Sequence, residues 1–284
     1  MNGLLVIDKQ AGMTSHDVVA MCRRTLSERR VGHAGTLDPG ATGVLVVGVG
    51  RATRLLRFVE DSEKEYVATA TFGITTTTLD AQGEVVSKRD ASALTEDDVR
   101  EALLVFVGDL DQVPPMVSAI KVGGEALYKK ARRGEEIERP VRRVHVAELS
   151  LLAFEAGARA RATLHVRCSR GTYVRSLVAD VGEALGVGGH VAALRRTRVG
   201  AFSVEDAIRV QDLTAEALRP MEQAVAGYPR RSVDGADALA LVHGKPLGPF
   251  GISGVYAVYG PDGLLAMAED REGEARSLCV LTQG

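Results

Sequence analysis

The sequence predicts an α+β fold with a small β-rich tail, and three observations point to it. Strand-like and helix-like periodicities both occur before residue 73. The run VLVVGV at 44–49 is continuously apolar, as a buried strand is, and beyond about residue 228 the signals are those of strands and turns. With 284 residues, 45% of them apolar, the chain can bury one large domain or two unequal ones. The expected division is a first domain over 1–225 and a tail over 226–284.

LLVID (residues 4–8) reads as a short strand, closed by the turn signal QAGM. Thr14 and Ser15 are then candidate N-caps for a helix whose Val18, Val19, Cys22 and Leu26 share one face. A glycine-dense loop leads into VLVVGV. Gly50 and RATRLLRF suggest a second helix, and EYVATATFG (65–73) alternates like a half-buried strand. Thr95 with Asp98 has the pattern of a capping box, with Val99, Ala102, Leu103 and Phe106 continuing at helical spacing. Ala160, Ala162, Leu164, Val166 and Cys168 alternate with Arg159, Arg161, Thr163, His165 and Arg167, so one face is core and the other polar and basic.

Thr172 is placed to cap a helix with the apolar stripe Val174, Leu177, Val178, Val181 and Leu185, ending at Gly186. Arg175 falls in its first turn, facing the positive end of the helix dipole, a placement unfavourable by roughly 0.3–1 kcal/mol. Positions 178 and 179 are Val and Ala, so no acid lies at i+3 or i+4, and a partner from elsewhere in the fold is expected. PMEQAVAGYPRR (220–231) reads as a boundary. After it come a hairpin with GPDG at its turn and a further strand in RSLCVLT.

Composition narrows the function. No window approaches 18 consecutive apolar residues, and MNGLLVIDKQAG has neither a basic start nor a long apolar stretch, so no membrane span or signal peptide is expected and the expected location is the cytoplasm. Cys22, Cys168 and Cys279 are odd in number and widely spaced, against a disulfide framework or a structural zinc site. The net charge of −2 is no basic signature, so nucleic-acid contact would have to come from local patches. Candidates are residues 129–143, with seven basic and three acidic side chains, RRTR at 195–198, and Arg51, Arg54 and Arg57; each is equally readable as a solvated charged face.

GVGRAT at 48–53 has Thr53 where a dinucleotide fingerprint needs its third glycine, and P-loop, H-E-x-x-H and G-x-S-x-G patterns are absent from the sequence. What remains is GHAGTLDPGATG at 32–43, in which one acid, Asp38, is framed by glycines and stiffened by Pro39. Such a carboxylate can be a nucleophile at a sugar carbon or a general base, or it can bond its own backbone in an Asp-Pro-Gly turn. A retaining glycosidase would need a second carboxylate about 5–5.5 Å away, and the loop offers none.

GHAGTLDPGATGVL closely resembles the catalytic motif of the TruB-type tRNA pseudouridine-55 synthases. DKQAGMTSHDVV, KEYVATATFG, VPPMVSAIKVGGEALYKKARRG and CSRGTYVRSLVADVGEALG resemble that family's other motifs in the same order, over about residues 3–222. Gln10 stands where the family usually has Pro, and Gly40 where it commonly has Leu.

The resemblance implies a mixed central sheet flanked by helices, a PUA-like tail, and isomerisation of one uridine in the T arm of tRNA without metal or redox cofactor. It implies Asp38 as the essential carboxylate, with Arg175 beside it lowering its pKa and offsetting burial. Tyr66 is to stack on the uracil and assist proton loss from C5, and His33 to fill the space the everted base leaves. Tyr173 and Leu194 are to line the uracil pocket, Lys9 to support the first motif, and the segment about 113–143 to contact RNA. The partner implied is tRNA alone, with no membrane and no obligate protein partner, the chain acting as a monomer. The tail, with five basic and seven acidic side chains over 225–284, is not expected to dominate RNA affinity.

Overall fold

Thr14 opens the first helix: its hydroxyl accepts from the Asp17 amide and the Asp17 carboxylate accepts in return, starting α1 (Ser15–Thr25) immediately after β1 (Gly3–Lys9). The computed structural model describes residues 1–118, 121–122, 124–126, 133 and 137–281. β2 (Val31–Ala34) and β3 (Thr42–Val49) follow, the latter buried along nearly all its length. A 3₁₀ turn then runs into the short helix α2 (Leu56–Glu60). In β4 (Lys64–Phe72) buried and half-buried residues alternate strictly, with Tyr66, Ala68, Ala70 and Phe72 facing the core.

A two-stranded ribbon, β5 (Ile74–Thr76) with β6 (Val85–Lys88), leads to α3 (Glu96–Leu104), which Thr95 and Asp98 cap reciprocally. Then come β7 (Gly108–Gln112), a short ladder of β8 (Lys121–Val122) with β9 (Glu125–Ala126), β10 (Arg142–Glu155) and β11 (Arg161–Cys168). α4 (Val174–Ala184), β12 (Gly189–Val199), β13 (Phe202–Ser203) and β14 (Ile208–Arg209) complete the larger part. Its sheet runs β14-β1-β3-β12-β4-β11-β10-β7, with β2 on β3 and β13 on β12. The β1–β14 and β3–β12 pairs are parallel and the other pairs antiparallel, so the sheet is mixed.

β15 (Arg230–Ser232), α5 (Gly235–Val242), β16 (Val255–Gly260), β17 (Gly263–Arg271) and β18 (Glu274–Val280) form a second, four-stranded sheet with one helix. It is packed directly on the first. Ala257, Leu264, Met267 and Leu281 share one core with Leu4, Val6, Val44 and Val46. Among the described residues no helix is long and apolar enough to cross a membrane.

Two features differ from expectation. Thr172 does not cap α4: Tyr173 is the N-cap, without a side-chain cap bond, and the Thr172 hydroxyl donates to the Ser169 carbonyl at 3.0 Å. Several side chains of the basic clusters are engaged by partners within the protein. Arg51 and Arg54 donate to the Leu281 and Val280 carbonyls, Arg195 forks onto Asp8 at 3.0 and 2.9 Å, and Arg196 is fully buried. Within 129–143, residues 129–132 and 134–136 lie outside the described residues. Residues 119–120, 123, 127–132 and 134–136 of the insertion expected over 113–143 likewise lie outside them.

Arg51 and Arg54 tie down carbonyls at the end of β18, so the double variant Arg51→Ala/Arg54→Ala is expected to unfold at lower denaturant. The loss should be on the order of 1–2 kcal/mol for two partly solvated hydrogen bonds. Chemical denaturation followed by circular dichroism measures it.

Candidate active site

The loop from Gly35 to Ala41 connects β2 to β3, and its backbone is held from both sides. Lys9, fully buried, donates from Nζ to the carbonyls of Gln10 (3.0 Å), Met13 (2.9 Å) and Pro39 (3.3 Å). The Ser15 hydroxyl donates to the Leu37 carbonyl and accepts from the Leu37 amide, and Gly12 N donates to the Pro39 carbonyl. Asp38 thus sits between two pinned residues. Gly43 has φ +101°, and a Cβ there would stand 2.1 Å from the Arg196 carbonyl, so no other residue fits. Burial of the Lys9 ammonium lowers its pKa to about 8.

The Asp38 carboxylate meets Arg175, from the first turn of α4, in the wall of one cavity. Arg175 Nε lies 2.9 Å from Oδ2 and Nη2 donates to Oδ1 at 3.2 Å, a two-point fork. Arg175 is 4% exposed and Asp38 38% exposed. The guanidinium also donates to the carbonyls of Thr78 (2.9 Å) and Val117 (2.8 Å), and its Nη1 stands 3.5 Å from Asp80. Its adverse position at the start of α4 is thereby offset by two carboxylates. The loop alternative in which Asp38 bonds its own backbone is not the arrangement found.

The pKa of Asp38 is nevertheless raised, not lowered. Burial is the larger influence, Arg175 and Lys9 oppose it, and the like charge of Asp80 reinforces it. The expected offset by Arg175 is real but incomplete, because the desolvation of the carboxylate outweighs the attraction.

Tyr66 projects from β4 with its phenol buried, which raises its pKa, and the Arg196 guanidinium lies beside it. Arg196 pairs across β12–β4 with Tyr66 and donates to the carbonyls of Val44 (2.8 Å) and Gly35 (3.1 Å). One buried cation therefore joins the tyrosine to the loop carrying the acid. Asp38, Tyr66, Tyr173, Arg175 and Leu194 line a single cavity of about 490 Å³, together with Lys64, Arg142 and Arg170. His33 and Lys9 are not in its lining. His33 meets His16 edge-on at 5.4 Å, and burial lowers its pKa to about 4, so it is neutral at pH 7.

Sequence reasoning missed Asp80, Gln112 and Arg196. Asp80 lies in the turn-like TLDAQG, Gln112 at the end of a strand, and Arg196 inside a run that reads as surface charge. Asp80 lies outside the large cavity and its carboxylate is engaged by Arg175, the Thr78 hydroxyl and the Gln82 amide. Among the described residues no cluster of three or more His, Cys, Asp or Glu could hold a metal.

Residues 23–174 match the N-terminal domain of the TruB family pseudouridylate synthases. The chain belongs to the TruB family. Residues 175–239 match the tRNA pseudouridylate synthase B C-terminal domain and 228–282 the tRNA pseudouridine synthase II C-terminal domain, which places a PUA-like module in the β-rich tail. Among relatives, the tRNA pseudouridine synthase B of Mycobacterium sp. (strain KMS) is 47% identical, with 98% of this chain and 96% of that protein covered. That of Thermobifida fusca (strain YX) is 47% identical, with 98% of each covered. A solved Cbf5-Nop10-Gar1 complex contains a chain that superposes with a TM-score of 0.77 at 29% identity, covering 99% of this chain and 85% of that one. The TruB family signature and the mixed sheet agree, and the chain is a pseudouridine synthase, an isomerase.

Proposed function

We propose that the substrate is the uridine at position 55 in the T arm of tRNA, and that Asp38 acts on its ribose. The observation that supports this most directly is the Arg175 fork on Asp38 in the wall of a cavity that also holds the Tyr66 phenol. A folded RNA loop cannot deliver a base there without everting it, at a cost of a few kcal/mol that stacking inside the cavity regains. The cavity volume lies in the range of small-ligand sites.

In this reading the C1′–N1 bond breaks with Asp38 either attacking C1′ or removing a ribose proton. The detached uracil turns and C1′ bonds to C5, as the Asp38–C1′ ester bond breaks on the first route or as Asp38 returns the proton to the ribose on the second. The C5 proton then leaves with the help of Tyr66 while N1 gains one, so the product is an isomer of the substrate. Tyr173 and Leu194 hold the base edge and face, and His33, neutral and outside the cavity, fills the gap left in the RNA. Lys9 fixes the loop through the Pro39 carbonyl. Arg170, Arg142 and the rest of the insertion over 113–143 supply charge for phosphates.

The division into 1–225 and 226–284 is part of the same reading, supported by the separate β15–β18 sheet. So are a monomeric state, a cytoplasmic location, and independence from metal, redox cofactor and obligate protein partner.

Incubating the protein with unmodified tRNA transcript and mapping pseudouridine at nucleotide resolution tests it: a single new pseudouridine in the T arm is expected, and none there overturns the assignment. Tyr66→Phe retains the ring but not the hydroxyl, and is expected to slow single turnover by about 10²–10⁴-fold with tRNA affinity nearly unchanged.

A further inference from the structure

Gln112, the last residue of β7, is buried, and both polar atoms of its side chain are committed to one residue. Its Nε2 donates to the Tyr173 carbonyl at 3.0 Å, and its Oε1 accepts from the Tyr173 amide at 2.7 Å. Tyr173 is the N-cap of α4 and makes no cap bond with its own side chain, so a residue 61 positions earlier in the chain fixes the start of this helix.

The residues after Gln112 fasten the same turn. The Ser176 hydroxyl donates to the Val113 carbonyl at 3.0 Å, and Arg175 Nη2 donates to the Val117 carbonyl at 2.8 Å. Residues 112–118 therefore lie as a strap along the first turn of α4. That turn carries Tyr173 into the cavity and Arg175 onto Asp38.

We infer that Gln112 is a positioning residue for the isomerisation: its two-way pair with the Tyr173 backbone sets the direction in which Arg175 meets Asp38. The inference rests on the proposed function. Only a side chain that donates and accepts at once, at this length, engages both Tyr173 groups, the amide having no other partner among the described residues and the carbonyl also accepting from the Leu177 amide at 3.0 Å. Glutamate can only accept, and methionine does neither. The fork on Asp38 is sensitive to small rotations of the helix start, since displacements near 1 Å at a reacting group are associated with rate losses of about 10²-fold.

The test compares wild type, Gln112→Met and Gln112→Glu in single turnover on unmodified tRNA across pH, with tRNA affinity and folded fraction measured alongside. The expected result is a rate loss of about 10- to 100-fold in both variants, with affinity within about threefold. In addition, the acid limb of the Gln112→Met pH–rate profile should move to higher pH, because Arg175 draws the proton affinity of Asp38 down and a loosened fork draws it down less.

A residue that merely stabilises the fold would lower the rate only in proportion to the folded fraction and would leave the limb in place. That result, or wild-type kinetics in folded variants, overturns the inference. Should Gln112→Met not accumulate as folded protein, Gln112→Glu, of equal length and able to accept from the Tyr173 amide, gives the rate and affinity readouts, and wild-type rate per folded molecule there overturns the inference. Its acid limb is not used, since the added negative charge would itself raise the Asp38 pKa. Absence of pseudouridine with wild-type protein would instead remove the proposed function itself, and an active wild type beside indifferent variants removes this inference alone.

Discussion

Asp38→Asn is expected to bring pseudouridine formation below detection, a loss on the order of 10⁴-fold or more, while tRNA affinity stays within a few fold. The substitution keeps the shape of the side chain and removes its charge. Asn can neither bond covalently to C1′ nor take a ribose proton, so both routes open to Asp38 close together. Binding is spared because Arg142 and Arg170, on the cavity wall, are untouched.

The wild-type pH profile carries a second check on this assignment. Since burial raises the Asp38 pKa, the charged form is lost on acidification at a pH above the ordinary carboxylate value, and single-turnover rate should fall with it. Near wild-type turnover by Asp38→Asn would reject Asp38 as the reacting group. An acid limb at or below the ordinary carboxylate value would reject its raised pKa.

The site was legible where local chemistry was unusual for its place. Asp38 stood out because a loop so rich in turn formers leads straight into a buried strand, and Arg175 because a cation in the first turn of a helix without an adjacent acid is unfavourable. Tyr66 carried no such signal of its own and came from motif order. Asp80, Gln112 and Arg196 were not legible, because each acts through a partner distant in sequence: Asp80 and Arg175 are 95 positions apart, Gln112 and Tyr173 61. The alternation of β4 and β11, the Thr95/Asp98 capping box and the Thr14 cap were fixed by neighbours within a few residues and appear as expected, and the Asp17 half of a second capping box at Thr14 is added by the structure.

The basic clusters show the opposite failure. Composition counts a charge without its partner, so RRTR and Arg51/Arg54 look like RNA-facing patches. In the fold Arg195 meets Asp8, Arg196 is buried beside Tyr66, and Arg51 and Arg54 hold carbonyls near the end of the chain. The order of strands in the sheet was equally beyond periodicity, since β12, which completes the cavity between β3 and β4, arrives more than a hundred residues after them.

Arg175→Ala and Arg175→Lys should both cripple turnover, by about 10²–10⁴-fold, and for separable reasons. Alanine leaves a half-buried carboxylate facing Asp80 without the cation between them. Desolvation and like-charge repulsion then act unopposed, so the acid limb of the rate profile moves to higher pH and the charged fraction at neutral pH falls.

Lysine keeps the charge but not the planar fork. Arg175 serves both Asp38 oxygens, two carbonyls and Asp80, whereas an ammonium has three donors on a point charge, so part of the rate loss should persist even where Asp38 is ionised. Asp80→Asn supplies the opposite sign. Removing its negative charge takes away an influence that raises the Asp38 pKa, so its acid limb should move to lower pH. Arg175→Ala and Asp80→Asn pulling the limb in opposite directions is the signature of one shared electrostatic network. Limbs that coincide with wild type in both would show that the carboxylate's ionisation does not govern the rate, and would leave Arg175 as a packing residue of α4.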